Sequence, residues 1–199
     1  MKNVLHCAVI TGGPSVGKTA LVEALKSRGR QVMDEIGRQV ILEGVEHPAR
    51  NRSSFQQVVL SRQLEKEASL HDVGGVWYLD RGLLDGAAYF QLHEGRVPAH
   101  YRRLIVSHYR VALVLEPLST FTQDGVRPEF EDLEYTKKIT PLLADFYRAC
   151  GVPTVMVPDG SIQERVEFVE AVMASYVDLA IDQFYLSTGA FCPPLLMAG

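Results

Sequence analysis

Short apolar runs alternate with amphipathic stretches along this chain, and that alternation predicts a parallel sheet with helices on both faces. Residues 4–10 read as a buried strand, continuous in apolar character. A helix is expected over 19–27, with Leu21, Ala24 and Leu25 on one face. Gly29 closes it, and 31–33 supply a short second strand, which completes one βαβ unit. Helical spacing resumes over 35–44, breaks at Pro48, and returns with Phe55, Val58, Val59 and Leu64 in a longer helix to about residue 69. Residues 76–79 form another fully apolar strand, and Asp80 stands at its carboxyl end, the edge where ligands gather in such sheets. Two helices are expected over 83–93 and 99–108, and then strands over 111–115 and 154–157. Pro117 stops the first of these strands, and Pro141 either starts a new helix or kinks one. The last helix opens with a capping box, Ser161 with Glu164, and carries Ile162, Val166, Val169, Val172 and Tyr176 on one stripe that should face the sheet.

The composition narrows the class. With 199 residues, 47% apolar and 22% charged, the chain can bury one substantial core. We expect a single domain over 1–182 and a separate C-terminal tail over 183–199, whose apolar FCPPLLMAG end either docks on the core or contacts another chain in a homo-oligomer. A net charge of -4 gives no general pull toward nucleic acid or an anionic membrane, so the expected partner is a small molecule. Cys7, Cys150 and Cys192 are widely separated and odd in number, which predicts neither a disulfide framework nor a metal cluster. The first ten residues faintly imitate a signal peptide, but the apolar run is short and leads straight into a loop that cleavage would damage. No run approaches the ~20 apolar residues that span a bilayer. A soluble, cytoplasmic protein is the expectation.

That loop carries the chemistry. GGPSVGKT places Gly12, Gly13, Pro14, Ser15, Val16 and Gly17 between the first strand and first helix, followed by Lys18, Thr19 and Ala20. Glycines there let successive N–H groups turn inward on an anion. Lys18 adds a point charge for the β- and γ-phosphates, and Thr19 offers a hydroxyl to Mg2+. The helix that begins here turns its positive end on the same phosphates. Asp80 is assigned to the metal against Thr19, and its neighbour Arg81 either reaches an acceptor or phosphate or pairs with Asp80 or Asp85. The second strand runs into Asp34 and Glu35, with Arg38 one turn on. That pairing suits an alcohol acceptor, with Glu35 as candidate base and Arg38 as a substrate contact, or else a helix-start carboxylate beside a solvated arginine. The polar segment 120–132 contains Gly125, Pro128 and Arg127, and reads either as a lid that swings Arg127 onto the transferring phosphate or as a surface loop. Arg102 and Arg103 read as a solvated pair, and the histidines show no ligand spacing.

The combination of GGPSVGKT, VMDEIGRQVI, VWYLDRGLLDG and DGVRPEFED, in that order, with ERVEFV further on, resembles the AAA_28-type group of phosphate-loop proteins, which includes the ribosylnicotinamide-kinase-like domain of the bacterial NAD regulator. The resemblance implies a three-layer α/β fold of nucleoside-kinase type with strand order 2-3-1-4-5. It also implies a carboxylate near the acceptor, an Asp-Arg after the third strand and an arginine-bearing lid, roles that fall on Glu35, Asp80, Arg81 and Arg127. The extra arginine sensors of ring-forming AAA machines have no evident counterpart. Two functions follow. One is a kinase that moves the ATP γ-phosphate, with GTP possible as donor, to a hydroxyl of a nucleoside or similar acceptor. The other is a nucleotide-dependent switch that hydrolyses ATP or GTP and controls a partner. An Asn-Lys-x-Asp element is missing, which disfavours a small GTPase, and a monophosphate acceptor would need several arginines converging on it.

Overall fold

The computed structural model describes residues 6–70, 75–119 and 132–183. In chain order the elements are β1 (Cys7–Thr11), α1 (Lys18–Ser27), β2 (Gln31–Met33), α2 (Ile36–Leu42), α3 (Arg52–Ala68), β3 (Trp77–Asp80), α4 (Asp85–Glu94), a 3-10 turn (Ala99–Arg103), β4 (Tyr109–Leu115), α5 (Leu133–Ala149), β5 (Thr154–Val157) and α6 (Ile162–Gln183). The five strands form one parallel sheet in the order β2-β3-β1-β4-β5. This is the three-layer α/β arrangement and strand order that the resemblance implied.

The pleat of β1 divides the core. Cys7 and Val9 point to one face, where α3, α4 and α5 contribute Leu60, Ala87, Phe90 and Tyr147. Ala8 and Ile10 point to the other, where α1 supplies Leu21, Val22 and Leu25 and α6 supplies Val166, Val169 and Met173. Burial on both faces explains why β1 and residues 111–115 of β4 read as continuous apolar runs rather than alternating ones. In the register, Met33 pairs with Leu79, Ile10 with Asp80, and Thr11 with Val114. The carboxyl ends of β1 to β4 therefore align, and the segments that follow them open on one edge of the sheet.

Three expectations change. The helix expected over 99–108 is only a 3-10 turn, since Leu104 is already extended and Val106 is buried beneath the start of β4. The helix expected from 83 begins at Asp85, because residues 81–84 form a turn with Leu83 and Leu84 buried. Cys150 is disulfide-bonded, although the cysteine spacing predicts no disulfide framework. Pro141 lies inside one helix, α5, whose start is capped by the Asp132 carboxylate accepting from Tyr135 N at 2.8 Å. The capping box on α6 is present, with Ser161 N and Oγ both donating to Glu164. Among the described residues no helix is long and apolar enough to cross a membrane. The tail from 184 lies outside the described residues, as does nearly all of the expected lid, 120–131, with Arg127 in it.

Candidate active site

The loop between β1 and α1 is held open from two sides. Gly12 has φ 141 and Gly17 φ 84, conformations that side chains resist, and a Cβ on Gly12 would also sit 2.8 Å from the Leu115 carbonyl oxygen. Ser15 is held at φ 57, a strained value for a non-glycine residue. On one side α5 abuts the loop: Gly13 N donates to Thr140 Oγ1 at 3.1 Å, and Thr136 Oγ1 donates to the Pro14 carbonyl at 3.0 Å. A Cβ on Gly13 would stand 2.6 Å from Thr136 Cγ2, so glycine is required for this approach. On the other side α6 sends in Arg165, which is 1% exposed. Its guanidinium donates to the carbonyls of Val16 at 2.5 Å, Pro158 at 2.9 Å and Glu116 at 3.1 Å, tying the loop to the ends of β4 and β5. Lys18 is buried and curls back, its Nζ donating to the carbonyls of Gly13 at 2.6 Å and Gly12 at 3.2 Å. Thr19 and Ala20 are exposed on the first turn of α1.

Beside the loop lies a buried ionic cluster built on the residue after β3. Arg81 takes φ 76, a left-handed conformation that a non-glycine residue holds only when its surroundings fix it. Those surroundings are visible. Its N–H donates to the Ile10 carbonyl at 2.9 Å, and its carbonyl accepts from Gln63 Nε2 at 3.2 Å. Gln63 in turn donates to the buried Glu67 at 2.7 Å, and Glu67 accepts from Tyr109 OH and contacts His108 Nε2. The guanidinium of Arg81 donates through Nε to Glu35 Oε1 at 2.9 Å and through Nη1 to Asp85 Oδ2 at 3.0 Å, and it lies over the Tyr89 ring. Nη1 also reaches the Gly12 carbonyl at 3.4 Å, the same oxygen that Lys18 contacts. Burial pulls the Arg81 pKa down, while the Tyr89 oxygen and the carboxylates of Glu35, Asp85 and Asp80 more than reverse this, so it is raised well above its ordinary value and stays cationic.

Asp85 is the hub of that cluster. One oxygen accepts from Thr11 Oγ1 at 2.8 Å and from Arg81, and the other from Tyr147 OH at 2.7 Å and Gly82 N at 3.3 Å. It thereby joins β1, the turn after β3, α4 and α5. Asp85→Ala would leave Arg81 with one carboxylate fewer and strand two buried hydroxyls. A loss of about 3–5 kcal/mol is expected, the range for breaking a buried pair by removing one partner. Urea unfolding of the two proteins measures it, and a loss under about 1 kcal/mol would contradict the hub role.

A cavity opens from this cluster between α2, α3 and α4. Glu35, Arg38 and Arg81, three of the residues expected from sequence to serve the acceptor, all line it, with Phe55, Gln56, Tyr89 and Tyr101 among the others. Arg81 pairs with Asp85, one of the two carboxylates that the sequence offers it, and also with Glu35. Asp80 is buried at the end of β3, paired in register with Ile10 one residue before β1 ends. Sequence reasoning did not find Arg165, the Thr136–Thr140 contact, the Gln63–Glu67 support or Tyr101. It named Asp85 only as one possible partner. The sole signal for Asp85 was its place four residues after Arg81 at a helix start; Arg165, Gln63 and Glu67 looked like ordinary helix-surface polar residues.

Mg2+ fits the donors present. Thr19 and Asp80 supply oxygen donors of the hard type that Mg2+ prefers. Among the described residues no group of three or more His, Cys, Asp or Glu could hold an ion without help. Such a cation would therefore be shared with ligand phosphates, the usual habit of Mg2+.

A strand, glycine loop and helix at the carboxyl edge of a 2-3-1-4-5 parallel sheet define a phosphate-loop fold of the kind found in nucleoside and nucleotide kinases. The chain belongs to the AAA_28 family, described as an AAA domain, whose model matches residues 7–165. No curated protein matches the sequence. A NadR protein crystallised with NR has a similar fold, with a TM-score of 0.70 at 19% identity, over 93% of this chain and 54% of that one. The chain thus spans about half the length of that protein. A deoxyadenosine kinase from M. mycoides matches with a TM-score of 0.56 at 15% identity, over 85% of this chain and 98% of that one. Thymidylate kinase from Candida albicans matches with a TM-score of 0.58 at 11% identity, over 88% of this chain and 93% of that one. At these identities the likeness is one of fold.

Proposed function

We propose that the protein is a kinase that transfers the γ-phosphate of ATP, with Mg2+, to a hydroxyl of a small acceptor, a nucleoside or a similar metabolite. The observation that carries this reading is a continuous chain of contacts: Lys18 Nζ and Arg81 Nη1 meet on the Gly12 carbonyl, and Arg81 Nε is bonded to Glu35, which lines the cavity. The cavity is thus linked to the phosphate loop through Arg81, which lines the one and contacts the other. In the proposed cycle the loop amides and Lys18 hold the β- and γ-phosphates, and Thr19 and Asp80 hold the metal. Bound Mg2+ supplies charge neutralisation on the phosphate oxygens. Glu35 accepts the proton of the attacking hydroxyl, and Arg81 lies across from it to stabilise charge on the transferring group. A nucleotide-dependent switch would have no use for such a cavity beside its loop, which favours the kinase over the second reading. The kinase names carried by the structurally similar proteins point the same way.

The test is direct. ATP and Mg2+ incubated with a panel of nucleosides and small alcohols should give acceptor-dependent ADP and a product heavier by one phosphoryl group, read by mass. ADP release that is equal with and without every acceptor, together with nucleotide-dependent binding of a protein partner, would establish the switch instead.

A further inference from the structure

Two donors in the cavity beside Glu35 have no hydrogen-bond partner among the described residues, the Arg81 Nη2 and the Tyr101 hydroxyl. Arg81 has committed Nε and Nη1 to Glu35, Asp85 and the Gly12 carbonyl, so Nη2 is the part left over. Tyr101, 0% exposed, projects from the 3-10 turn and packs edge-on against Phe90 of α4, with ring centroids 5.7 Å apart. Its hydroxyl fits only because residue 86 has no side chain: a Cβ on Gly86 would stand 2.1 Å from that oxygen. Gln56 Oε1 flanks the same point, 3.1 Å from the position of that Cβ. A buried hydroxyl without a partner costs free energy, and phenylalanine would fill the same space without that cost. Packing therefore accounts for the ring and leaves the hydroxyl unexplained. Burial and then the Asp85 charge push the phenol pKa up, so the group remains a donor across physiological pH.

We propose that Tyr101 is a specificity residue for the acceptor, its hydroxyl donating to a carbonyl oxygen on the edge of a flat heterocycle seated in the cavity walled by Phe55, Tyr89 and Phe90. The inference rests on the kinase reading for the identity of the site and adds to it the class of acceptor: a nucleoside whose base presents a lone pair to a neutral donor. A site that hydrogen-bonds one substrate atom rejects the analogue lacking it, because the buried donor is then left unpaired again.

The experiment compares wild type with Tyr101→Phe on two matched pairs of probes, inosine with purine riboside and uridine with pyrimidin-2-one riboside. Each pair differs by one exocyclic oxygen. Calorimetric affinity and acceptor-dependent ADP formation are both read, together with the melting temperature of each protein without nucleoside. In wild type, one oxo-nucleoside is expected to bind at least tenfold tighter than its partner. In Tyr101→Phe that preference should vanish, while the affinity for ATP and the ligand-free melting temperature do not fall. Discrimination that persists in Tyr101→Phe overturns the proposal, and so does a lower ligand-free melting temperature, which would mean that the hydroxyl serves the fold. Discrimination in binding with no ADP formed removes the kinase reading and leaves Tyr101 its role. ADP formed with equal kcat/KM for both members of each pair does the reverse, and failure of every probe to bind either protein overturns the assignment of a nucleoside.

Discussion

Lys18→Ala is expected to lower acceptor-dependent turnover by about a hundredfold to a thousandfold, the scale of removing one preorganised stabilising group from a transition state. The side chain is 4% exposed and lies against the carbonyls of Gly12 and Gly13, within the loop proposed to hold the terminal phosphates. Rotation of the ammonium from two carbonyls to an anion exchanges neutral acceptors for a charged one, and the exchange is worth most where water is excluded. The substitution should spare the fold. The loop stays tethered by Thr136, Thr140 and Arg165, whose bonds run to the backbone of Gly13, Pro14 and Val16. Far-ultraviolet dichroism and melting temperature should therefore stay close to wild type while calorimetry loses most of the nucleotide affinity. Wild-type turnover in Lys18→Ala would remove the loop from the mechanism altogether.

What could be read from the sequence was whatever a period or a local spacing encodes. Residues 76–79 and 111–115 are apolar without alternation, which is the mark of strands covered on both faces, and the glycine loop sits between a strand and a helix as its chemistry demands. The strand order came from resemblance, since nothing in a run of five strands says which neighbours pair. The 3-10 turn at Ala99–Arg103 was misread because helical spacing of apolar residues persists through it, with Tyr101 and Val106 buried for tertiary reasons. Long-range polar contacts were out of reach for a different reason. Arg165 lies 149 positions from the carbonyl it caps and Tyr147 lies 62 from the carboxylate it meets. Only the closed fold brings them together. Glu35 and Arg81, 46 positions apart, were named separately for their strand-end positions, and their ion pair emerged from the alignment of β2 with β3.

That ion pair sets up the second large effect. Glu35→Gln is expected to cut the rate of phosphoryl transfer by about a hundredfold to ten-thousandfold, the span for a positioned general base, and to leave ATP affinity nearly unchanged. Glu35 stands at the N-cap position of α2, 7% exposed, with Oε1 accepting from Arg81 Nε at 2.9 Å. Glutamine keeps an oxygen there, so the guanidinium retains a neutral acceptor as well as Asp85, and the cavity keeps its shape. What glutamine cannot do is take a proton from the acceptor hydroxyl. A split therefore separates base from anchor: single-turnover mixing should show slow transfer with normal ATP binding if Glu35 takes the proton. A purely structural role predicts the opposite pattern, a normal transfer rate at saturating acceptor with a raised acceptor KM, because a loosened Arg81 would misplace the substrate without removing any chemical group. Glu35→Asp provides the control. It keeps the charge and shortens the reach, so partial recovery of rate in Glu35→Asp, absent in Glu35→Gln, would assign the effect to the carboxylate itself.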